Sequence, residues 1–244
     1  KALAEGPFYK GAWILSGRRT YFDKLAQLYN NAKNEDQDWK YYFWDNQFKI
    51  FSDINPQNRI TFSTFNGKDV LNFNLEEEDW DDEIDFKWNW GNNSSSLKWR
   101  FIPNPKFYSE LIVTRSSFDF DLGLKYTEID SVGHRDERAF EVMNKIEDIS
   151  ITEQLTWHMT PRHMITLGGT VKNLTMKFNF DLNNTNYFKI KQTPNIYSAF
   201  IQDKWKVNDK LSMQLGLRGS KYELHDQLYM DPRFGFKYLI NDDL

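Results

Sequence analysis

Apolar and polar residues alternate along this chain in stretches that stop and restart at turn-forming residues. Ile149, Ile151, Leu155, Trp157 and Met159 alternate with Ser150, Thr152, Gln154, Thr156 and His158. A period of two residues predicts a β-strand with one apolar and one polar face. The same period sets Tyr42, Trp44, Phe48 and Ile50 against Asp45, Gln47 and Lys49, and Leu97, Trp99 and Phe101 against Ser96, Lys98 and Arg100. Ile60 and Phe62, then Ile165, Leu167 and Val171, then Leu211, Met213, Leu215 and Leu217, then Phe234, Phe236, Tyr238 and Ile240 repeat it. About ten strands follow, the first over Phe8 to Ser16, each able to reach the roughly 9–11 residues of a tilted membrane-spanning strand. From Phe107 to Phe120 both faces carry apolar residues, which leaves the register there open. Phe22, Leu25, Ala26 and Tyr29 fall instead at helical spacing and predict one short helix, with Thr20 as its N-cap.

Turn signals divide the strands unevenly. Short ones stand at Asn55-Pro56-Gln57-Asn58, Pro103-Asn104-Pro105-Lys106, Thr160-Pro161-Arg162-His163, Asn208-Asp209-Lys210 and Asn241-Asp242-Asp243. The opposite strand ends are joined by long polar segments near 17–39, 67–84, 122–145 and 175–194, which are read as loops. Short turns on one side and long loops on the other are the layout of an outer-membrane barrel. The expected fold is therefore all-β, an antiparallel up-and-down transmembrane β-barrel segment. Phe51, Phe101, Trp157, Trp205 and Tyr238 precede the short turns and predict an aromatic girdle on the periplasmic side. Asp45, Lys49, Lys98, Arg100, Gln154, Arg218, Arg233 and Lys237 are expected to face the lumen, where two roles are open to them, bonding neighbouring strands, which is favoured, or lining a ligand path.

Composition agrees with strands that touch lipid at alternate residues. Mean hydropathy is −0.71, and no stretch approaches the roughly 18 apolar residues of a spanning helix. Aromatics nevertheless make up 17% of the 244 residues, and large amphipathic rings suit the membrane interfaces. With no cysteine, neither a disulfide framework nor a thiolate metal site can form. A net charge of −4 gives no electrostatic reason to expect nucleic acid. Lys1-Ala2-Leu3-Ala4-Glu5 is not a secretory signal, and both ends look cut, so residues 1–244 are expected to be one partial barrel domain.

Candidate chemistry is sparse. The acidic run from Glu76 to Glu83 offers oxygen ligands but lacks the spacing and pivot glycine of a calcium loop, and it reads as solvated. Within it, Trp80, Asp79 and Asp81 are ligand-binding candidates, together with Arg218. Trp88 and Trp90 could stack on a ligand, but their period of two favours lipid or interface contact. His134, His158, His163 and His225 are scattered, and no metal, cofactor or catalytic arrangement is expected.

The succession Tyr197-Ser198-Ala199-Phe200-Ile201-Gln202-Asp203-Lys204-Trp205-Lys206, then Leu211-Ser212-Met213-Gln214-Leu215-Gly216-Leu217-Arg218, then Asp231-Pro232-Arg233-Phe234-Gly235-Phe236-Lys237-Tyr238 resembles the barrel of TonB-dependent outer-membrane receptors. Ser16-Gly17-Arg18-Arg19-Thr20-Tyr21 and Asn66-Gly67-Lys68-Asp69 resemble elements of the same barrels, especially forms with a carboxypeptidase-regulatory-like N-terminal domain. The resemblance implies part of a barrel of about 22 strands closed by an N-terminal plug. It also implies a bacterial outer-membrane location, contact with outer-membrane lipid, coupling to the TonB complex through segments outside this chain, and uptake of a scarce small nutrient. Siderophore complexes, cobalamin and oligosaccharides are the substrates it implies. Two other readings are a smaller barrel acting as a passive pore or outer-membrane enzyme, and a soluble β-sandwich that binds carbohydrate through its tryptophans.

Overall fold

In the computed structural model, residues 1–33, 39–77, 82–130 and 132–240 are described. The strands are β1 Ala2–Phe8, β2 Gly11–Arg19, β3 Trp39–Asn55, β4 Asn58–Glu77, β5 Asp82–Asn104, β6 Phe107–Ile129, β7 Arg135–His158, β8 His163–Leu182, β9 Thr185–Gln192, β10 Asn195–Lys206, β11 Leu211–Tyr222 and β12 His225–Tyr238, with helix α1 Phe22–Lys33 between β2 and β3. All belong to one antiparallel sheet in chain order, β9 pairing with the upper half of β8 and β10 with its lower half. Because Met176 faces Gln192 and Asn173 faces Asn195, β9 and β10 keep one register across Pro194 and act as one interrupted strand. Proline has no N–H to give the ladder, which explains the break. A β-sandwich would need two packed sheets, and the single sheet replaces that alternative.

The strands are taller than the alternation suggests. β7 has 24 residues, roughly 80 Å of extended chain, against about 9–11 residues for crossing a bilayer. Much of what reads as long loops near 67–84, 122–145 and 175–194 is therefore strand continuing beyond the membrane. The described part of the β6–β7 connection is a tight tip, where Asp130 Oδ1 accepts from Val132 N and His134 N at 2.9 Å. Asn183 and Asn184, both at positive φ, make the two-residue turn into β9.

The opposite ends carry the short turns, closed by one device. A side-chain oxygen accepts from the backbone N–H two residues on: Asn55 for Gln57 at 3.0 Å, Asn104 for Lys106 at 2.9 Å, Thr160 for Arg162 at 3.2 Å and Asn208 for Lys210 at 2.9 Å. The expected turn at Asn241-Asp242-Asp243 lies outside the described residues. A further short turn, Tyr9-Lys10, joins β1 to β2 and corrects the expected first strand over Phe8 to Ser16, which begins only at Gly11 and leaves Phe8 as the last residue of the preceding strand. Thr20 does not cap the helix. It prolongs the β2–β3 ladder instead, its N–H donating to Phe43 O and its Oγ1 accepting from Phe43 N, both at 2.9 Å.

Cross-strand partners share a face, so the register assigns every strand residue to one side. Leu15, Ile50, Phe62, Leu97, Val113, Ile151, Val171 and Tyr197 form part of an apolar belt. This is the lipid-facing side. The eight polar residues expected in the lumen, Asp45, Lys49, Lys98, Arg100, Gln154, Arg218, Arg233 and Lys237, all lie on the other side. Phe101, Trp157, Trp205 and Tyr238 take the outer face as expected, and Phe107 stacks on Trp157 with centroids 5.8 Å apart. Phe51 is a correction. It lies one residue out of phase with Ile50, faces inward, and its ring carries the Arg59 guanidinium at 4.5 Å.

Candidate functional site

The inner face has two chemistries. Towards the short turns it is polar and cross-linked. Arg59 makes a two-point ion pair with Asp53 at 2.6 and 2.7 Å, and Arg100 approaches the same carboxylate at 3.8 Å. Lys98 pairs with Glu110 at 2.7 Å, Thr114 with Ser150 at 2.6 Å, Ser116 with Asp148 at 2.9 Å and Arg218 with Ser198 at 2.8 Å. Small side chains such as Thr61, Ser150, Thr166 and Ser220 are buried there.

Towards the long-strand ends the same face becomes apolar. One row of cross-strand neighbours reads Tyr41, Leu71, Trp88, Leu122, Val142, Phe180 and Phe188 across seven strands. The next row up contains Phe73, Phe86, Leu124, Phe140 and Leu182. The row below contains Phe43, Asp69, Trp90, Phe120, Asn144, Phe178 and Ile190. The rings contact one another, with Phe73 on Phe86 at 4.7 Å, Trp88 against Trp90 at 5.4 Å and Phe180 against Phe188 at 6.3 Å. Helix α1 joins the wall through Phe22, stacked on Tyr41 at 5.5 Å. Trp88 remains 41% exposed, so this wall offers aromatic surface to a ligand.

One charged group is set into the wall. Asp69 lies between Phe43 and Trp90 in its row. Burial pushes its carboxyl above the usual range, Arg18 pulls it down, and Asp45 pushes it up. Arg18 itself is ion-paired to Asp45 and lies over the Phe43 ring at 5.2 Å. The raised folded pKa means the folded state holds its proton more tightly than the unfolded chain. The associated stability is full below the unfolded value of about 3.9 and is lost as pH rises through the folded value. Asp69→Asn should therefore raise resistance to denaturant at pH 7 and leave it nearly unchanged at pH 3. Unfolding midpoints of the full-length protein at the two pH values test this, and a midpoint lowered at pH 7 would contradict it.

The sequence candidates fare unevenly. Trp80, Asp79 and Asp81 lie outside the described residues. Arg218 is a cross-strand strut on the polar part of the inner face, remote along its strand from the aromatic rows. Trp88 and Trp90 correct the expectation of lipid contact, because their parity is opposite to that of Leu97 and Trp99, which places them on the inner wall. His163 pairs through Nδ1 with Asp203 at 2.7 Å and stacks on Trp205, on the outer rim. His134 braces the β6–β7 tip through Asp130 at 3.1 Å. Sequence reasoning misses the inner wall as a candidate site. The signal that could have found it is the change of apolar parity within single strands.

A family model described as TonB dependent receptor-like, beta-barrel matches residues 9–244. Among solved structures, FpvA of P. aeruginosa, determined bound to heterologous pyoverdine with iron, aligns at a TM-score of 0.65 and 12% identity, covering 95% of this chain and 36% of that one. FyuA of Yersinia pestis, a ferric yersiniabactin uptake receptor, aligns at 0.53 and 9% identity, covering 98% of this chain and 46% of that one. At these identities the likeness is one of fold. The sequence matches no curated protein. The chain thus spans under half the length of the two structures it resembles.

Proposed function

The chain belongs to the TonB-dependent receptor-like β-barrel family, and from that premise we propose that it forms part of the wall of a bacterial outer-membrane receptor that imports a small nutrient. The observation that carries the reading is the division of the inner face. Three mainly aromatic and aliphatic rows at the extracellular end, with Asp69 and Asn144 as polar members, suit capture of a ligand with aromatic or apolar faces. The charged and hydroxyl-bearing floor below suits contact with a plug, which must slide or rearrange against polar, water-compatible groups. Among siderophore complexes, cobalamin and oligosaccharides, the siderophore class is favoured, because few amides or carboxylates stand among these rings to pair the many hydroxyls of an oligosaccharide. Energy would reach the plug from the TonB complex through segments outside residues 1–244.

Fractionation and uptake test this together. The full-length protein should be recovered in the outer membrane and migrate differently on a gel before and after boiling. Cells expressing it should accumulate a labelled ferric chelate in a manner abolished by loss of TonB. Soluble recovery without a heat-dependent shift would sink the barrel reading. A normal shift with no TonB-dependent accumulation of any chelate would sink the substrate class alone.

A further inference from the structure

Asp69 is the one charged member of the three aromatic rows among the described residues. It is half-buried, it makes neither a hydrogen bond nor an ion pair among the described residues, and its carboxylate oxygens stay accessible on the inner side. Arg18, the cation that acts on it, is ion-paired to Asp45 in the row below and lies over the Phe43 ring at 5.2 Å. That pair cancels its own charge and leaves Asp69 uncompensated. The carboxylate has no structural duty either. Burial among rings disfavours its charged form, so it lowers stability at neutral pH and holds nothing together.

Aromatic rings stand on both sides of it. Phe43 and Trp90 are its direct cross-strand partners, and Tyr41 and Trp88 stand diagonally in the next row, roughly 7–8 Å away along the sheet. Trp88 and Trp90 meet at 51° with centroids 5.4 Å apart, so they form a corner rather than a flat stack. Tyr41 and Trp88 are both exposed to a ligand. Ring faces are electrically negative, and the carboxylate between them carries a full negative charge. The corner therefore repels an anionic group, and a neutral hydroxyl gains only one hydrogen bond there. A protonated primary amine gains twice, because its N–H groups donate to Asp69 while its charge lies against the rings. The wall already seats one cation in this way, Arg18 between Asp45 and Phe43. We infer that Asp69, with Phe43, Trp90, Tyr41 and Trp88, forms a subsite for a primary ammonium group on the imported ligand, and that Asp69 sets the specificity for it. The inference rests on the capture wall described under Proposed function, and it narrows the ferric chelates to those that bear a free amine.

Quenching of tryptophan fluorescence in the purified full-length protein, held in detergent micelles, tests it. The probes are a ferric trihydroxamate with a terminal primary amine and the same chelate N-acetylated, so that the charge is what differs. Wild type, Asp69→Asn and Asp69→Glu are titrated with both. The wild type is expected to bind the amine form at least about tenfold more tightly, a difference of about 1.4 kcal/mol. That ratio should fall to within about twofold in Asp69→Asn and persist in Asp69→Glu, which keeps the charge. An unchanged ratio in Asp69→Asn would overturn the site. So would a ratio near one in a wild type that binds both chelates, the result expected if a cation from another part of the receptor occupies Asp69. Benzylamine and benzyl alcohol, followed by saturation-transfer NMR near neutral pH, make the same comparison without iron. A preference for benzylamine that Asp69→Asn abolishes, with neither chelate bound, would support the ammonium subsite and overturn ferric chelates as the cargo. Chelate binding with no preference for the amine in either pair would overturn the subsite and leave the receptor reading standing. No preference for benzylamine and no chelate bound would overturn both.

Discussion

Ile201→Arg should lower the stability of the membrane-inserted protein by about 2–4 kcal/mol, the cost of a guanidinium on the lipid face near the bilayer centre. Ile201 is 55% exposed, and its cross-strand neighbours are Leu167 and Leu217, both on the apolar belt. Neither neighbour offers the charge a partner. The adjacent Gln202 points to the lumen, beside Thr166 and Gly216, and accepts from Gln214 Nε2 at 2.9 Å. Gln202→Arg loses that one hydrogen bond and should cost only about 0.5–1.5 kcal/mol. Denaturant titrations of the full-length protein in phospholipid vesicles, read by the heat-dependent gel shift, measure both. Two neighbouring positions with one substitution thus report the faces directly. Equal costs at 201 and 202 would mean that neither face meets hydrocarbon.

How much of this is legible in the sequence depends on the position along a strand. Near the short turns a single environment lies on each side, lipid outside and water inside, and period two reads it cleanly. That is why alternation alone sets Leu97 and Trp99 outward and Lys98 and Arg100 inward, where the pairing of β4, β5 and β6 also puts them. Further along β5 the polar run Gly91-Asn92-Asn93-Ser94-Ser95-Ser96 hides a change of sign. The pairing continues with no register shift from Glu83 to Phe101, so no bulge moves the side chains. What changes is the surroundings: beyond the membrane the outer face meets water, and the inner face meets other rings. Apolar parity therefore inverts from Leu97 and Trp99 to Trp88 and Trp90. The same inversion accounts for the open register of β6, where Leu111 and Val113 face out and Phe118, Phe120, Leu122 and Leu124 face in. Phe51 departs from expectation for a simpler reason. Its place beside a turn suggests the girdle, but its phase relative to Ile50 decides the face. Periodicity also cannot reveal that the polar segments are strand. Towards its tip the β6–β7 hairpin carries polar residues on both faces, with Thr127 opposite Glu137 and Glu128 opposite Asp136, and the ladder hydrogen bonds that hold it leave no mark on composition.

If the proposed receptor function holds, Trp88→Ala is expected to weaken ligand capture by roughly thirtyfold, about 2 kcal/mol, the usual scale for truncating an exposed aromatic anchor in a binding surface. Its ring sits in the middle of the richest apolar row, between Leu71 and Leu122, and touches Trp90. Removing it should leave assembly unchanged, because the ring is 41% exposed and lies beyond the membrane-spanning part of β5. Trp99→Ala makes the contrasting case on the same strand. Its Nε1 donates to Asn58 Oδ1 at 2.9 Å and its ring stacks on Phe101 at 5.8 Å, both next to a short turn on the outer face. Losing that anchor should reduce outer-membrane recovery while each assembled molecule binds ligand normally. Binding of ferric chelates by intact cells, normalised to the amount of heat-shifting protein, separates the two. If Trp88→Ala binds as well as wild type per assembled molecule, the inner wall is a packing surface for other parts of the receptor rather than its capture site. If Trp99→Ala alone loses normalised binding, the ligand engages the periplasmic end, and the direction assigned to the whole sheet is reversed.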